Sequence, residues 1–317
     1  MSRFPFPTGR TRTIVLAILA TVLVIASLVV WKAWRDTMGD PQVLRTTVTL
    51  ADMPDGTDPV TVALLTDIHV SGPDMPPKRL ERIVAQVNAL EPDLIVIGGD
   101  LVSDGRLVTH VYEPNEIIAP LAGLKAPLGV ILVPGNHDHW YDWPGLKAAL
   151  SKTDIVVLEN EAHEAGPLAI GGLDDEYTGH DDIPATLRAM EKLAGAHIIL
   201  SHGPDPTPDL PEGSVVLAGH THCGQIRLPL IGSLGVPSRY GKRYECGRID
   251  EGTKTVIVSG GLGTSVMPVR FGTRAQVWLV EFRPEGDSGS RECKWKGGAS
   301  AAGHLPLITR PLFLCFH

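Results

Sequence analysis

Five short segments of the sequence present Asp, His or Asn directly after an apolar run, four of them beside Gly or Ser. In chain order they read Asp67-Ile68-His69, Gly98-Gly99-Asp100, Gly135-Asn136-His137-Asp138, Ser201-His202-Gly203 and Gly219-His220-Thr221-His222. One histidine after a strand is usually a hydrogen-bonded structural residue, and a Gly-Asp or Gly-Asn step is usually a turn. Ligands of open α/β sheets bind at the carboxyl ends of strands, so five such segments in succession predict one shared site.

The donor types in these segments suit a divalent metal. Carboxylate, imidazole and amide oxygen bind Mn, Fe, Zn or similar ions, and the lack of thiolates in the segments argues against a structural zinc site. The donors outnumber the four that one ion needs, so two ions about 3.5–4 Å apart, bridged by a carboxylate, fit better. Such a pair serves in-line displacement at phosphorus, where the attacking and leaving oxygens both need charge neutralisation.

A regular alternation of apolar runs and helix-period segments must position these donors. Strand-like runs occupy residues 62–65, 94–97, 130–133, 155–158, 168–171, 197–200, 215–218, 255–258 and 275–282, and helical segments occupy 80–90, 114–124 and 184–194. Alternating strands and helices predict a layered α/β fold with a mainly parallel sheet. The last runs lack helices between them, which predicts added antiparallel strands. Residues 36–59 predict a linker with a first strand at 43–50.

Composition narrows the class of protein. The chain has 317 residues, 43% of them hydrophobic, which is ample for a core and excludes a fully disordered chain. Its net charge of −8 lacks the basic footprint of a nucleic-acid-binding protein, so no nucleic-acid partner is expected.

Residues 13–31 form an uncharged apolar run. A helix of that length spans roughly 28 Å, close to the hydrocarbon core of a bilayer. The alternative is a cleaved signal peptide, but its apolar segment would be shorter, and Trp31-Lys32-Ala33-Trp34-Arg35 is a poor cleavage site. The sequence therefore favours a retained transmembrane anchor.

Basic residues on the two sides of this run predict its orientation. Arg3, Arg10 and Arg12 precede it, and Lys32 and Arg35 follow it. The small excess before the run favours an N-terminus inside and the bulk of the chain outside.

Taken in order, the five segments resemble those of the calcineurin-like metallophosphoesterase superfamily over residues 60–282. The N-terminal run, the sequence GHTHCGQIRLP and the later GGLGTS and PVR resemble its membrane-associated bacterial branch, which is similar to phosphodiesterases and UDP-2,3-diacylglucosamine pyrophosphohydrolases. The resemblance implies a four-layer α/β/β/α sandwich of two mixed sheets, preceded by one transmembrane helix. The expected division is an anchor at 1–35, a linker and first strand at 36–59, a phosphoesterase domain at 60–283 and a disordered or atypical tail at 284–317.

The resemblance also implies a role for each donor. One divalent ion would be held by Asp67, His69 and His222, the other by Asn136, His202 and His220, with Asp100 bridging the two. A hydroxide between the ions would attack phosphorus, and His137 would face the substrate. Relatives that act on phosphoproteins carry an acid three residues after the bridging Asp. That position is Ser103 here, so Asp104 or Asp138 would have to orient His137.

Further substrate contacts are expected near these segments. The Gly-rich segment 260–265, with Gly263 and Thr264, would cradle a phosphate with backbone N–H groups or form a simple tight turn. Arg270 would clamp a phosphate or be an ordinary exposed arginine. His139 would line the substrate entrance or pack against its neighbours.

Two cysteines bear on the compartment. Cys223 directly follows the fifth segment, and Cys246 lies downstream. They would form a disulfide in an oxidising compartment or stay as free thiols.

These observations predict a membrane-anchored, metal-dependent hydrolase of phosphoester or phosphoric anhydride bonds. The substrate remains open between a phosphodiester, a cell-envelope component and a lipid-linked pyrophosphate of the UDP-diacylglucosamine type. The expected location is a bacterial inner membrane, crossed once, with the catalytic domain on the periplasmic side. A catalytically silent metal-binding membrane protein is the alternative class, although all seven candidate ligands are present.

Overall fold

The computed structural model describes residues 9–103 and 107–285. The α-helices are α1 (Gly9–Met38), α2 (Pro77–Asn88), α3 (Pro114–Ile118), α4 (Asn136–Tyr141), α5 (Trp143–Leu150) and α6 (Ile183–Met190). The strands are β1 (Gln42–Leu50), β2 (Val60–Leu65), β3 (Leu94–Gly98), β4 (Val130–Val133), β5 (Ile155–Val157), β6 (Glu161–Ala165), β7 (Leu168–Gly172), β8 (Ala196–Leu200), β9 (Val215–Ala218), β10 (Arg227–Leu228), β11 (Gly232–Ser233), β12 (Gly247–Glu251), β13 (Lys254–Val258) and β14 (Gln276–Pro284). Short 3-10 helices lie at Leu121–Gly123, Thr207–Asp209, His222–Gly224 and Gly241–Tyr244.

Two mixed sheets of six strands carry the fold. The first has the order β1-β14-β2-β3-β4-β5, in which β2 to β5 are parallel and β14 is antiparallel to β2. The second has the order β12-β13-β9-β8-β7-β6, with four parallel strands between two antiparallel edge strands. The predicted α/β class is confirmed. Of the late runs, β14 is antiparallel to β2 as expected, whereas β13 is parallel to β9 and antiparallel to the unpredicted β12.

Apolar side chains fill the space between the sheets and cover their outer faces. Leu64 and Val96 of the first sheet meet Ile198 and Leu217 of the second in one buried cluster. A second cluster joins the outer face of the first sheet to α2, α3 and α5, and a third includes Met190 of α6 on the second sheet. The order of layers is therefore α/β/β/α, as the resemblance implies.

Most differences from the predicted elements have local causes. The helix expected over 114–124 ends at Ile118, because Pro120 follows and a 3-10 helix replaces the last turn. The edge strands β6 and β12 and the helix α5 lie outside the predicted runs. β6 reads EAHEA and is mostly solvent-accessible, so it lacks the apolar pattern by which a strand is recognised.

The helix α1 is long and apolar enough to cross a membrane, and its side chains from Ile14 to Trp31 are exposed. It continues to Met38, through the boundary expected at residue 35. The predicted strand at 43–50 is β1, which pairs in parallel with β14 at the edge of the first sheet. The segment after the anchor is therefore part of the sandwich.

Buried polar contacts join the last turn of α1 to the sandwich. Asp36 accepts a hydrogen bond from the Gly272 N–H (2.9 Å), and Thr37 Oγ1 accepts one from the Arg270 N–H (2.7 Å). Arg79 of α2 is buried, and its guanidinium donates to the carbonyl of Thr37 at 2.8 Å. The end of the helix is thereby held by two separate segments of the chain, residues 270–272 and α2.

We call the contacts of Asp36 and Thr37 with the sandwich the joint of α1. Replacing Arg79 should weaken this joint. Arg79 also donates to the carbonyl of Asp74 (2.7 Å), so Arg79→Met leaves buried carbonyls without their donor. We expect the free energy of unfolding to fall by about 2–3 kcal/mol, measured by thermal unfolding of the full chain in detergent. Arg82→Met is the matched control, because Arg82 is exposed on the same helix. Equal melting temperatures for the two variants would contradict the role of Arg79.

Candidate metal centre

The five donor segments follow strands of both sheets. β2, β3 and β4 lead into Asp67, Asp100 and Asn136, and β8 and β9 lead into His202 and His220. Five donors bend the chain sharply, with φ between 48° and 67°: Asp67, His69, Asp100, His220 and His222. Non-glycine residues rarely adopt this left-handed conformation, and those that do cluster at functional sites. The backbone here is therefore shaped to bring the side chains together.

A first group of donors joins the end of β2 to the loop after β9. His69 Nε2 lies 3.1 Å from His222 Nε2, and His222 Nε2 lies 3.4 Å from Asp67 Oδ1. His69 Nε2 is also 3.4 Å from Asp100 Oδ2. All these side chains are buried, and Asp67, His69 and His222 could together hold a metal ion.

A second group lies on the other side of Asp100. His202 Nε2 is 3.0 Å from Asn136 Oδ1 and 3.0 Å from His220 Nδ1. The same nitrogen is 3.3 Å from Asp100 Oδ2. Asp100, His202 and His220 could hold a second ion, and one carboxylate oxygen of Asp100 adjoins both groups.

The hydrogen bonds of His69 Nδ1 and His202 Nδ1 show whether the opposite ring nitrogens are available to a metal. His69 Nδ1 contacts the Val102 carbonyl (3.1 Å), and His202 Nδ1 contacts the Gly98 carbonyl (2.8 Å). A carbonyl only accepts, so each Nδ1 donates, and in the neutral ring Nε2 presents a lone pair. These lone pairs face oxygen atoms of Asp100 and Asn136, which is unfavourable unless positive charge lies between them, supplied by a metal ion or, at His202, by a proton on the ring.

The spacing of the donors agrees with that requirement. Ligands bound at about 2.0–2.2 Å to a tetrahedral or octahedral ion lie about 3.0–3.5 Å from one another. The distances of 3.0–3.4 Å among the donor atoms fall in this range. The residues present therefore fit divalent metal ions.

Burial keeps three of the imidazoles neutral. It lowers the pKa of His69 and of His220 to about 3, and it lowers the pKa of His222 well below the usual value. A metal ligand must be unprotonated, so these rings need release no proton at neutral pH. Burial also raises the pKa of Asp67 to about 6.

Asp100 and His202 shift in the opposite direction. Burial by itself would raise the pKa of Asp100, but the charge of His202 beside it lowers that pKa well below the ordinary value. Burial would likewise lower the pKa of His202, and the negative charge of Asp100 raises it well above the usual value. The interior thus strongly attracts positive charge at the point where the two groups of donors meet.

His137 lies at the mouth of the centre and is half-buried. Its backbone N–H donates to Asp100 Oδ1 at 2.8 Å, which fixes the carboxylate so that the other oxygen faces both groups. The His137 ring centre is 4.8 Å from that of His69 and 5.0 Å from that of Trp140.

Two exposed aromatic residues border this mouth. Trp140 and Tyr177 have ring centres 6.0 Å apart, and Tyr177 lies 4.9 Å from the ring of His220. Tyr177 was not anticipated from the sequence. The only signal for it is its position just after Asp174 and Asp175, which follow β7.

Asp138 is fully buried behind His137 rather than at the mouth. Its carboxylate accepts hydrogen bonds from the Leu101 N–H (2.7 Å) and the Gly135 N–H (2.9 Å), so it ties two strand-end loops together. Burial, together with the nearby Asp100, raises its pKa to about 7. A part for Asp138 in orienting His137 stays a prediction, and Asp104 lies outside the described residues.

The Gly-rich segment packs against the end of β2. The N–H groups of Leu262 and Gly263 donate to the carbonyl of Asp67 at 3.1 and 2.7 Å, and a side chain at Gly263 would collide with the Ile68 carbonyl. Thr264 Oγ1 donates to Asp74 at 2.8 Å. These groups are engaged within the protein, so the segment supports Asp67 instead of presenting them to a phosphate.

Arg270 is fully buried, so the ordinary exposed arginine considered from the sequence is wrong. Its guanidinium donates to the carbonyls of Gly260 (2.7 Å), Gly261 (3.2 Å) and Gly263 (3.1 Å), and burial lowers its pKa to about 10. The guanidinium thus holds the Gly-rich segment in place, which does not favour a direct clamp on substrate.

His139 lies beside the mouth in a polar cluster. Its Nε2 is 2.7 Å from Asp174 Oδ1, and its ring stacks on His180 with centres 4.1 Å apart. Burial would lower the pKa of His139, but the adjacent Asp174 raises it above the usual value. A contact between His139 and substrate stays a prediction.

The two cysteines near the centre form a disulfide. Cys223 and Cys246 are bonded, with Cα atoms 4.8 Å apart. Because Cys223 follows His222 directly, the bond holds the chain at a metal-ligand candidate. This resolves the choice left open by the sequence.

A four-layer α/β/β/α sandwich with buried Asp, Asn and His donors at converging strand ends defines a metal-dependent hydrolase. Calcineurin-like phosphoesterase is the family that matches residues 60–224. The chain belongs to the calcineurin-like phosphoesterase family, and it is a metallophosphoesterase that hydrolyses phosphoester bonds.

Similar proteins occur in bacteria and animals. The uncharacterized metallophosphoesterase YkuE of Bacillus subtilis is 31% identical over 258 residues, covering 77% of this chain and 87% of YkuE. An uncharacterized metallophosphoesterase of Helicobacter pylori is 28% identical, covering 80% of this chain and 67% of its own length. A transmembrane protein with metallophosphoesterase domain from Danio rerio is 31% identical, covering 87% of this chain and 64% of that protein. With the apolar helix α1, the likeness to the Danio rerio protein suggests a membrane protein.

Asp100→Asn should reduce metal binding at both groups together. Its shared oxygen lies 3.4 Å from His69 and 3.3 Å from His202, and an amide carries no charge to attract a cation. We expect the metal content of the purified chain, measured by elemental mass spectrometry, to fall by at least half with unfolding behaviour retained. Asp93→Asn is the control, because Asp93 is a carboxylate bonded to the Thr61 N–H at the far end of the strands. A metal content equal to that of Asp93→Asn would contradict the shared role.

Proposed function

We propose that the two donor groups hold two divalent metal ions, Mn, Fe, Zn or similar, at which the chain hydrolyses a phosphodiester or pyrophosphate bond. The observation that supports this is the single Asp100 oxygen next to both groups. The proposed ligands are Asp67, His69 and His222 for one ion, Asn136, His202 and His220 for the other, and Asp100 for both. When bound, such ions polarise a phosphoryl oxygen and ionise a water at neutral pH.

His137 is the proposed acid of the reaction. It is half-buried at the mouth, and one of its ring nitrogens lies within 4.8 Å of donor atoms of His69 and Asp100, so it could reach a group bound between them. An imidazole at this point would donate a proton to the oxygen that leaves phosphorus and would stabilise charge on the phosphoryl group. Trp140 and Tyr177 would pack against the organic part of the substrate.

The domain is proposed to lie on the outer side of a bacterial inner membrane. The disulfide between Cys223 and Cys246 suits an oxidising compartment, and the basic residues before α1 favour an N-terminus inside. The joint at Asp36 and Thr37 keeps the sandwich close to the bilayer. This position favours a substrate of the cell envelope or of the bilayer itself.

A lipid pyrophosphohydrolase of the UDP-diacylglucosamine type is the second candidate. The nearness of α1 to the sandwich favours it, but a domain on the outer side would not meet a nucleotide-linked lipid made in the cytoplasm. A catalytically silent metal-binding protein is disfavoured because both donor groups are complete.

His137→Gln should separate catalysis from metal binding. We expect kcat for bis(p-nitrophenyl) phosphate with Mn²⁺ to fall by about 10²–10⁴-fold, the usual contribution of a general acid, while metal content stays unchanged. His180→Gln is the control, because His180 stacks on His139 away from the donor groups. If kcat survives in His137→Gln, the acid is another group. If the wild-type chain with full metal content hydrolyses no phosphoester, the silent alternative holds.

The outer location can be tested with a topology reporter. Alkaline phosphatase fused to the C-terminus of the full chain should be active in bacterial cells, because that enzyme folds only in an oxidising compartment. A fluorescent protein that matures only in the cytoplasm is the matched fusion and should stay dark. The reverse pattern would place the domain inside.

A further inference from the structure

The exposed apolar side chains of the sandwich concentrate in two short segments. Among the described residues outside α1, ten large apolar side chains are exposed, and six of them lie in residues 230–234 and 266–269. We name these six the apolar rim: Leu230, Ile231, Leu234, Val266, Met267 and Val269. Leu230 is fully exposed and Val266 is 67% exposed. A single exposed aliphatic side chain is ordinary, but a concentration of them marks an interaction surface.

Specific hydrogen bonds hold one of the two rim segments in place. Gln225 Nε2 contacts the carbonyls of Ser265 (2.9 Å), Met267 (2.9 Å) and Val269 (3.0 Å), and its Oε1 accepts from the Ser265 N–H (2.8 Å). The other segment is the hairpin of β10 and β11. One glutamine side chain therefore fixes the loop that carries half of the rim.

Backbone conformation holds two rim side chains outward. Leu230 has φ of 66° and Val266 has φ of 60°, in the left-handed region that non-glycine residues rarely adopt and that is least favourable for a β-branched residue such as Val266. Strained residues of this kind persist where surrounding structure or function requires them.

The rim lies near Lys32, the point on α1 at which the uncharged apolar run ends. The rim segments meet at Phe271, since Arg227 N–H donates to the Phe271 carbonyl (2.7 Å) and Val269 is two residues away. The Lys32 ammonium lies 5.1 Å from the centre of the Phe271 ring. Lys32 directly follows Trp31, the last residue of the uncharged run. The rim is thus adjacent to the membrane interface of α1.

Charge around the rim also suits a lipid surface. Residues 226–238 and 259–272 contain no Asp or Glu, and their two charged residues are Arg227 and the buried Arg270. Lys32 and Arg35 lie nearby on α1, where both approach the buried Asp36, and Lys242 lies beside Gly232. Arg227 is 3.7 Å from Glu245, so the basic side chains outnumber the carboxylates beside them. Apolar side chains flanked by basic ones are typical of surfaces that enter the interface of a bilayer.

We propose that the apolar rim inserts into the interface of the same bilayer that α1 crosses. The partner is the lipid surface itself, and the inference holds on whichever side the domain lies. A groove of about 400 Å³ lined by His222, Leu234, Val266 and Met267 lies between the rim and the donor groups. Where the proposed function holds, this groove opens the centre toward the bilayer, so a phosphoester anchored in the membrane would reach it laterally.

The test is the depth of single labels on the full chain. Leu230→Cys and, separately, Ile231→Cys would be labelled with pyrene maleimide in a background carrying Cys293→Ser and Cys315→Ser. The chain would be reconstituted in nanodiscs whose lipids carry a nitroxide near the headgroup. Ala122→Cys is the control, because residue 122 is far from the joint. One end of α2 contacts the joint through Arg79, and the other end contacts Gly123 through Asn88. The length of the helix between them places Ala122 roughly 14–18 Å from the joint.

Insertion predicts that nitroxide lipids quench both rim labels at least twofold more than the label at residue 122, and that 0.5 M NaCl leaves this difference in place. Adding Ile231→Asp to the chain labelled at residue 230 should reduce the quenching by about half, because a carboxylate disfavours entry into the interface. Equal quenching at rim and control positions would overturn the proposal. Pyrene excimer emission without lipid quenching would also overturn it and assign the rim to a second copy. Neither readout depends on phosphoesterase activity, so the proposed function can fail while this inference stands.

Discussion

The contact on which the structure of the centre depends is the approach of Asp100 Oδ2 to imidazole nitrogens from both sheets, at 3.4 Å from His69 and 3.3 Å from His202. These atoms are buried, and in the neutral rings their lone pairs face one another. Such an arrangement is costly in a low-dielectric interior unless positive charge compensates it. The remaining features of the site can be understood as means of holding this unfavourable geometry in place.

Local backbone strain and close packing provide that hold. The left-handed conformations of Asp67, Asp100 and His220 direct side chains from strand ends toward a single point. Two backbone N–H donors fix the buried carboxylate of Asp138, which joins the loops after β3 and β4. The Gly-rich segment supports the end of β2, where Gly263 approaches the Ile68 carbonyl too closely for any side chain.

Periodicity was sufficient for the layered α/β class and for the strand ends at which the donors lie, whereas the four-layer sandwich was implied by the resemblance to the calcineurin-like superfamily. Buried parallel strands read as apolar runs, and each donor follows such a run. The edge strand β6 could not be found in this way, since its exposed face needs no apolar pattern. The burial of Arg270 could not be predicted for a related reason: nothing in the residue type separates an arginine bonded to buried carbonyls from one that faces solvent. Tyr177 reaches the mouth through the course of a loop, which periodicity does not specify.

The placement of Arg270 also explains how the membrane helix and the centre form one structural unit. Its backbone N–H bonds Thr37 of α1, its guanidinium bonds the Gly-rich segment, and that segment bonds the carbonyl of Asp67. Residues 222–225 connect the centre to the apolar rim. His222 is a proposed metal ligand, Cys223 forms the disulfide, and Gln225 bonds the loop that carries half of the rim. Three peptide units span at most about 11 Å, so the rim cannot move far from His222. The distance between the end of α1 and the donors is therefore set by covalent geometry and buried hydrogen bonds instead of by a linker. Under the proposed function, a fixed distance of this kind would select membrane-anchored phosphoesters by how far their phosphorus lies from the bilayer.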